Sequence, residues 1–181
     1  MKVRILLSGG IDSMVCLSFY LNKEYDVECL FCDYGQPAAE QEYKAAKSIT
    51  EYFDVKLHFL KTNSIIVPEI GEIYGRNAFI IMQSMCFFGA DSYKIAIGVH
   101  SGTSYSDCSN SFIDAMNRVI DCYANGTVFL EAPLIAWNKI EIFEYCLQNE
   151  LPLDLTYSCE KGGFPPCGTC LSCKDRKVLG V

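Results

Sequence analysis

An apolar run, Val3-Arg4-Ile5-Leu6-Leu7, leads without a break into Ser8-Gly9-Gly10-Ile11-Asp12-Ser13, and a second apolar stretch at helical spacing follows. A strand, a tight turn and a helix in that order leave the chain few folds to choose from. The two glycines let the backbone approach a ligand closely. The first amides of the helix carry partial positive charge and have no acceptor of their own. Hydroxyls at Ser8 and Ser13 add donors. Such a turn is a cradle for an anion, and phosphate is the ligand class it suits. An ordinary Gly-Gly turn is the plainer alternative, but the placement between strand and helix and the hydroxyl content favour the cradle. The loop has no lysine in a Gly-x-x-x-x-Gly-Lys-Ser/Thr arrangement and no Gly-x-Gly-x-x-Gly. A γ-phosphate gripped by a loop lysine, and the bridging phosphates of a dinucleotide, are therefore disfavoured.

Hydrophobic periodicity extends this layout along the chain. Strands are predicted at residues 3–7, 27–34, 55–60, 94–99 and 128–130. A helix to about 22 is apolar almost all round, with Met14, Val15, Leu17, Phe19 and Leu21. Pro37 opens an amphipathic helix to 53, and further helices are expected at 77–88, 112–123 and 139–148. Loops are expected at 61–76, which holds Pro68, Gly71 and Gly75, and at 100–110. Alternating strands and helices predict an α/β fold, a parallel sheet with helices on both faces in a Rossmann-like arrangement. Ligands in such sheets sit beyond the carboxyl ends of the strands. The Gly-Gly loop, Asp33-Tyr34-Gly35-Gln36 and the 100–110 loop all follow strands, so one crevice should gather them. One domain, 1–181, is expected, with a metal-binding segment at 156–176 inside it.

The formal net charge is −7. An acidic surface repels phosphodiester backbones, so direct nucleic-acid binding is not expected. No apolar stretch reaches the roughly 20 residues a membrane span needs. The opening residues run straight into the phosphate loop rather than forming a leader, and a cytoplasmic location is expected. There thiols stay reduced, so the 11 cysteines should serve burial or metal binding rather than disulfides. Cys16, Cys29, Cys32, Cys86, Cys122 and Cys146 lie in apolar helices or strands and are expected in the core. Cys159, Cys167, Cys170 and Cys173 are spaced Cys-x7-Cys-x2-Cys-x2-Cys among glycines and prolines. Four thiolates at this spacing fill a tetrahedral shell, a structural site for which zinc is the favoured ion. An iron–sulfur cluster also accepts four thiolates. Of the two histidines, His58 falls in a strand pattern with a structural role expected. His100 ends a strand at the border of the cleft, where packing is the simpler role.

The loop Ser8 to Ser13 is similar to the pyrophosphate loop Ser-Gly-Gly-x-Asp-Ser of the ATP pyrophosphatase (PP-loop) superfamily, whose fold is of the adenine nucleotide alpha hydrolase type. Further matches follow in order: Asp33-Tyr34-Gly35-Gln36, Gly75-Arg76-Asn77, Gly98-Val99, Tyr105-Ser106-Asp107-Cys108 with Phe112, Pro133-Leu134, Lys139, Thr156-Tyr157-Ser158-Cys159, the Cys167–Cys173 run and Arg176. Together they resemble the 7-cyano-7-deazaguanine synthase family of the queuosine precursor pathway over most of the chain. Ile73-Tyr74, Ser106 and Pro37-Ala38 depart from that family's pattern, all toward the acceptor side of the cleft.

The resemblance implies a ligase that turns 7-carboxy-7-deazaguanine and ammonia into the nitrile, through an acyl-adenylate and an amide, using ATP and Mg²⁺. It implies that Ser8, Gly9, Gly10, Ile11, Asp12 and Ser13, with Gly35 and Gln36, bind the nucleotide, and that Asp12 contacts magnesium. Lys139 and Arg76 would balance phosphate or carboxylate charge. Arg76, Asn77 and Asp107 would meet the acceptor. A solvated helix-start role for Lys139 and an N-cap role for Asn77 are the structural alternatives. A zinc ion held by Cys159, Cys167, Cys170 and Cys173, and a homodimer, complete the implied picture. A relative that adenylates another carboxylate or a protein, a tRNA-thiolating enzyme and a non-enzymatic nucleotide sensor are the competing readings.

Overall fold

Apolar residues two apart in short β-branched runs should pack against both sides of one sheet. In the computed structural model, which describes residues 1–62, 73–89, 91–100, 102 and 105–180, they do. Strands β1 (Lys2–Leu6), β2 (Asp26–Asp33), β3 (Lys56–Lys61), β4 (Tyr93–Ile97) and β5 (Val128–Glu131) form a five-stranded sheet in the order β3-β2-β1-β4-β5. Every neighbouring pair is parallel. The helices are α1 (Ile11–Leu21), α2 (Ala39–Tyr52), α3 (Arg76–Phe88), α4 (Asn110–Ala124), α5 (Lys139–Gln148) and α6 (Leu171–Leu179).

Val3 and Ile5 join Val27, Cys29 and Phe31 on one face, packed with Met14, Leu17, Ile49, Ile142 and Cys146 of α1, α2 and α5. The other face buries Tyr93, Ile95, Ile97, Val128 and Leu130 under Ile81 and Met85 of α3 and Met116 and Ile120 of α4. Helices thus cover both faces, as the α/β reading expects. α1 is buried nearly all round, which explains why its sequence has no polar stripe.

Several boundaries differ from the sequence reading. Pro37 stands before α2, which begins at Ala39. β4 ends at Ile97, so Gly98 and Val99 lie past the strand. The tail holds a 3₁₀ turn, Leu153–Leu155, and α6, neither of which periodicity suggested. Both are short, and the run of cysteines, glycines and prolines before α6 obscures its phase. The expected 61–76 loop falls largely on residues outside the described ones. Cys86 and Cys122 are exposed rather than core, and Cys32 is only half-buried. On helices with apolar residues on several sides, neighbours alone do not reveal which side faces water.

One charged cluster sits between sheet and helix. Arg4 is buried, its guanidinium 2.7 Å from Glu28 and 4.7 Å from the Phe88 ring centre. His58 Nε2 is 2.5 Å from the same carboxylate, which gives this histidine the structural role expected of it. Burial alone would raise the Glu28 pKa, but the His58 and Arg4 contacts outweigh it and bring it down to about 2. A carboxylate depressed in the folded state stabilises fully above its unfolded pKa of about 4.3, and that stabilisation disappears as pH falls toward the folded value. Melting temperature should therefore fall between about pH 4.5 and pH 2. Glu28→Gln should melt lower than wild type at pH 7 and show a shallower decline across that window. Parallel curves for the two proteins would show that Glu28 does not carry this acid sensitivity.

Candidate active site

In the order β3-β2-β1-β4-β5 the chain leaves β1 toward one edge and returns to its other side at β4. The crevice at such a switch point lies beyond the carboxyl ends of β1 and β4. The loop after β1 is residues 7–10. Gly9 has φ +84°, and a Cβ there would lie 2.5 Å from the Glu42 carbonyl oxygen of α2, so only glycine fits. Gly10 caps α1 and offers no side-chain acceptor. The first-turn amides at Ile11, Asp12 and Ser13 are therefore left for a ligand. Ser13 Oγ donates to the Gly10 carbonyl at 2.9 Å, and Ser8 Oγ donates to Ser13 Oγ at 3.2 Å. The two hydroxyls brace the turn they were expected to arm.

The end of β4 comes close to this turn, since a Cβ on Gly98 would lie 2.6 Å from the Asp12 carbonyl oxygen. Lys139 closes the site from α5. A capping box between Asn138 and Glu141 fixes the start of that helix. From its first position Lys139 Nζ donates to both Asp12 carboxylate oxygens, at 2.8 and 2.7 Å. Lys139 is thus paired, not a solvated helix-start residue.

His100 is buried, as a packing role expects, and it also stands beside Asp12. It is 3% exposed, and its Nε2 lies 3.7 Å from Asp12 Oδ2. Its Nδ1 accepts from the Gly102 amide at 2.9 Å. Burial pushes the imidazole toward its neutral form against the pull of Asp12, and Lys139 adds to that push. The signal available in the sequence was a histidine two residues before a glycine, just past a strand end.

The second loop is anchored from within. Gln36 is buried; its amide nitrogen donates to the Cys32 carbonyl at 3.2 Å and Glu42 Oε2 at 2.9 Å, and its oxygen accepts from the Tyr34 amide at 2.9 Å. Those bonds hold the turn around Gly35. Arg76, the first residue of α3, is near Tyr34 and Glu42: burial raises both their pKa values and the guanidinium opposes each rise. Gly75, not Asn77, occupies the N-cap, with φ +74°. Asn77 sits one turn-position inside α3, its amide nitrogen buried without an acceptor. Asp107 is buried beside Cys108, whose Sγ lies 3.8 Å from Oδ1. Ser8 to Ser13, Lys139 and His100 therefore form one group, and Arg76 joins the Gly35–Gln36 turn. Among the described residues, Asn77 and Asp107 make no hydrogen bond to either.

Cys159, Cys167, Cys170 and Cys173 place their sulfurs within 4.8 Å of one another, a four-cysteine metal-binding site. With metal–sulfur bonds of about 2.3 Å, a tetrahedral ion sets its ligands about 3.8 Å apart. Sulfurs this close can share a metal. The Thr169 hydroxyl and amide and the Cys170 amide donate to Cys167 Sγ and bring its pKa down to about 5. Thiolate is the form a metal takes. The segment also supports the loops that follow β1 and β2. The Tyr157 amide donates to the Gly9 carbonyl at 2.9 Å, and Gly162 packs directly on the Pro37 carbonyl.

The family model described as "Queuosine biosynthesis protein QueC" matches residues 2–72 and 69–178. The chain belongs to the QueC family. Among QueC relatives, a 7-cyano-7-deazaguanine synthase of Acetivibrio thermocellus is 33% identical, covering 98% of this chain and 93% of its own length. 7-Cyano-7-deazaguanine synthase 2 of Desulfitobacterium hafniense is 32% identical, covering 97% and 86%. Those alignments run over 208 and 202 positions against 181 residues, so these QueC relatives carry residues this chain lacks. The two stretches matched by the family model meet at 69–72, ahead of α3. Solved structures share the fold at low identity. A 4-thiouridine synthetase bound to RNA and ATP gives a TM-score of 0.59 at 18% identity, over 85% of this chain and 42% of that one. A predicted tRNA methyltransferase subunit from Methanocaldococcus jannaschii gives 0.58 at 16%, over 80% and 74%.

Proposed function

We propose that this chain converts 7-carboxy-7-deazaguanine and ammonia into 7-cyano-7-deazaguanine at the expense of ATP. The observation that carries the reading is an uncapped helix start behind Gly9-Gly10, facing an Asp12–Lys139 pair, in a chain of the QueC family. A carboxylate is a poor electrophile because its charge repels nucleophiles and oxide leaves badly. Attack of its oxygen on the α-phosphate of ATP gives an acyl-adenylate and releases pyrophosphate. Ammonia then displaces AMP to form the amide. A second adenylation on the amide oxygen, followed by loss of AMP and protons, leaves the nitrile.

The protein's share is positioning and charge balance. Amides of the first turn of α1 receive the departing pyrophosphate. Lys139, a third exposed and held by Asp12, is placed to share its charge with a phosphate. Asp12 is a hard oxygen ligand suited to Mg²⁺, which would offset phosphate charge when bound. Arg76, Asn77 and Asp107 are proposed to meet the acceptor, and the Gly35–Gln36 turn to flank the nucleotide. The ion at the four thiolates is proposed to be zinc, with a structural role, since four sulfurs leave no open position. Residues 1–181 are read as one PP-loop domain, with 156–176 as its metal segment. Among the described residues no helix is long and apolar enough to cross a membrane. A cytoplasmic homodimer that does not bind nucleic acid is the expected setting.

Pyrophosphate release is the test. With Mg²⁺ and ATP the protein should release it only when 7-carboxy-7-deazaguanine is added, and with ammonium present the nitrile should be found by mass spectrometry. No release in the presence of that acid would overturn the reading.

A further inference from the structure

We infer that His100 is a positioning residue for the adenylation site, turning an Nε2–H proton toward the Asp12 carboxylate from 3.7 Å, close enough to engage it once Lys139 swings to a phosphate, with the Gly102 amide keeping that proton in place. The inference rests on the adenylation reading above. Its first support is tautomeric. An amide N–H can only donate, so the 2.9 Å contact from Gly102 to Nδ1 makes that nitrogen an acceptor and leaves the proton on Nε2. Nε2 is the atom that lies 3.7 Å from Asp12 Oδ2.

The second support is steric. A Cβ at residue 102 would lie 2.9 Å from His100 Nδ1 and Cε1, and the buried ring has no room to retreat. Glycine at 102 therefore allows the amide to reach the imidazole. The third is the arrangement around Asp12. Lys139 occupies both carboxylate oxygens in the free enzyme. A lysine that turns toward a phosphate must give up part of that grip. The His100 N–H, just past the end of the neighbouring strand β4, is then the buried donor that keeps the carboxylate aimed. With its proton on Nε2, His100 faces Asp12 as a donor and not as a general base.

Two measurements test this. The chain has two histidines, so ¹⁵N-labelled protein gives two imidazole spin systems, and a His58→Gln variant assigns them. His100 should show a protonated Nε2 and an unprotonated Nδ1 at neutral pH. In the pyrophosphate-release assay, His100→Phe should lower kcat about 10- to 100-fold, the range for loss of a residue that orients a functional ligand. KM for ATP should change far less. His100→Gln, whose amide nitrogen can stand in for Nε2–H, should recover most of the rate. Gly102→Ala, which pushes a Cβ against the ring, should repeat the kcat loss at temperatures where its melt shows it folded, and so gives a second route to the same contact if His100→Phe folds poorly. A proton found on Nδ1, or wild-type kcat in both His100→Phe and Gly102→Ala, would overturn the inference. The tautomer is read without turnover. A wild-type protein that releases no pyrophosphate would overturn the functional reading, and with it the part His100 plays in adenylation.

Discussion

Asp12→Ala should lower pyrophosphate release by at least about 100-fold, the cost of removing one well-placed charge-stabilising group. The folded protein should survive. Asp12 sits in the first turn of α1, where a carboxylate adds about 0.3–1 kcal/mol through the helix dipole. Its partner Lys139 is 34% exposed, so water can hydrate the ammonium once the carboxylate is gone. Lys139→Met should give a comparable loss of rate. Because one side chain holds the other, the double variant should be little worse than the poorer single one. Steady-state assays on the three variants, with thermal melts alongside, check this. Asp12→Ala turning over within a few-fold of wild type would remove this carboxylate from the site.

Cys170→Ser should lose the bound metal and much of the protein's stability together. Structural zinc in small domains is worth about 10–16 kcal/mol of folding free energy. Even about 4 kcal/mol of that would lower the melting temperature of a domain this size by about 10 °C. Nucleotide affinity should fall too, at temperatures where the variant is still folded. The reason is local: the Tyr157 amide supports the Gly9 carbonyl, and Tyr157 is two residues from Cys159. Metal analysis, melting and ATP titration measure the three effects. One metal ion per chain at wild-type melting temperature would contradict the four-thiolate site.

The parts of this architecture legible in the sequence are those that repeat or that depend on residue type. Apolar runs at 3–7 and 27–34 needed only alternation to place β1 and β2 within a residue or so. Ser8 to Ser13 announced a tight strand-to-helix turn because a glycine pair there has few other uses, and the structure has that turn between β1 and α1. The cysteine spacing spoke for itself, and the sulfurs do converge. What stayed hidden depends on contacts between distant segments. Nothing local in the sequence shows that the buried His100 stands beside Asp12, which follows the neighbouring strand, and accepts from the Gly102 amide in its own loop. Lys139 looked equally suited to water, and only the crossing of α5 toward α1 gives it a partner. Asn77 resembled a helix cap, but Gly75 supplied the turn first. Cys86 and Cys122 were misplaced because apolar neighbours report a helix's composition and not its orientation.

The contact between Gly9 and Tyr157 also bears on when the molecule becomes competent. A growing polypeptide that has emerged as far as β5 owns its whole sheet, yet its opening turn still lacks this amide from far downstream. Synthesis must proceed past the cysteine-bearing stretch before that turn is shored up. The turn gains its downstream support only with the stretch that carries the four clustered cysteines.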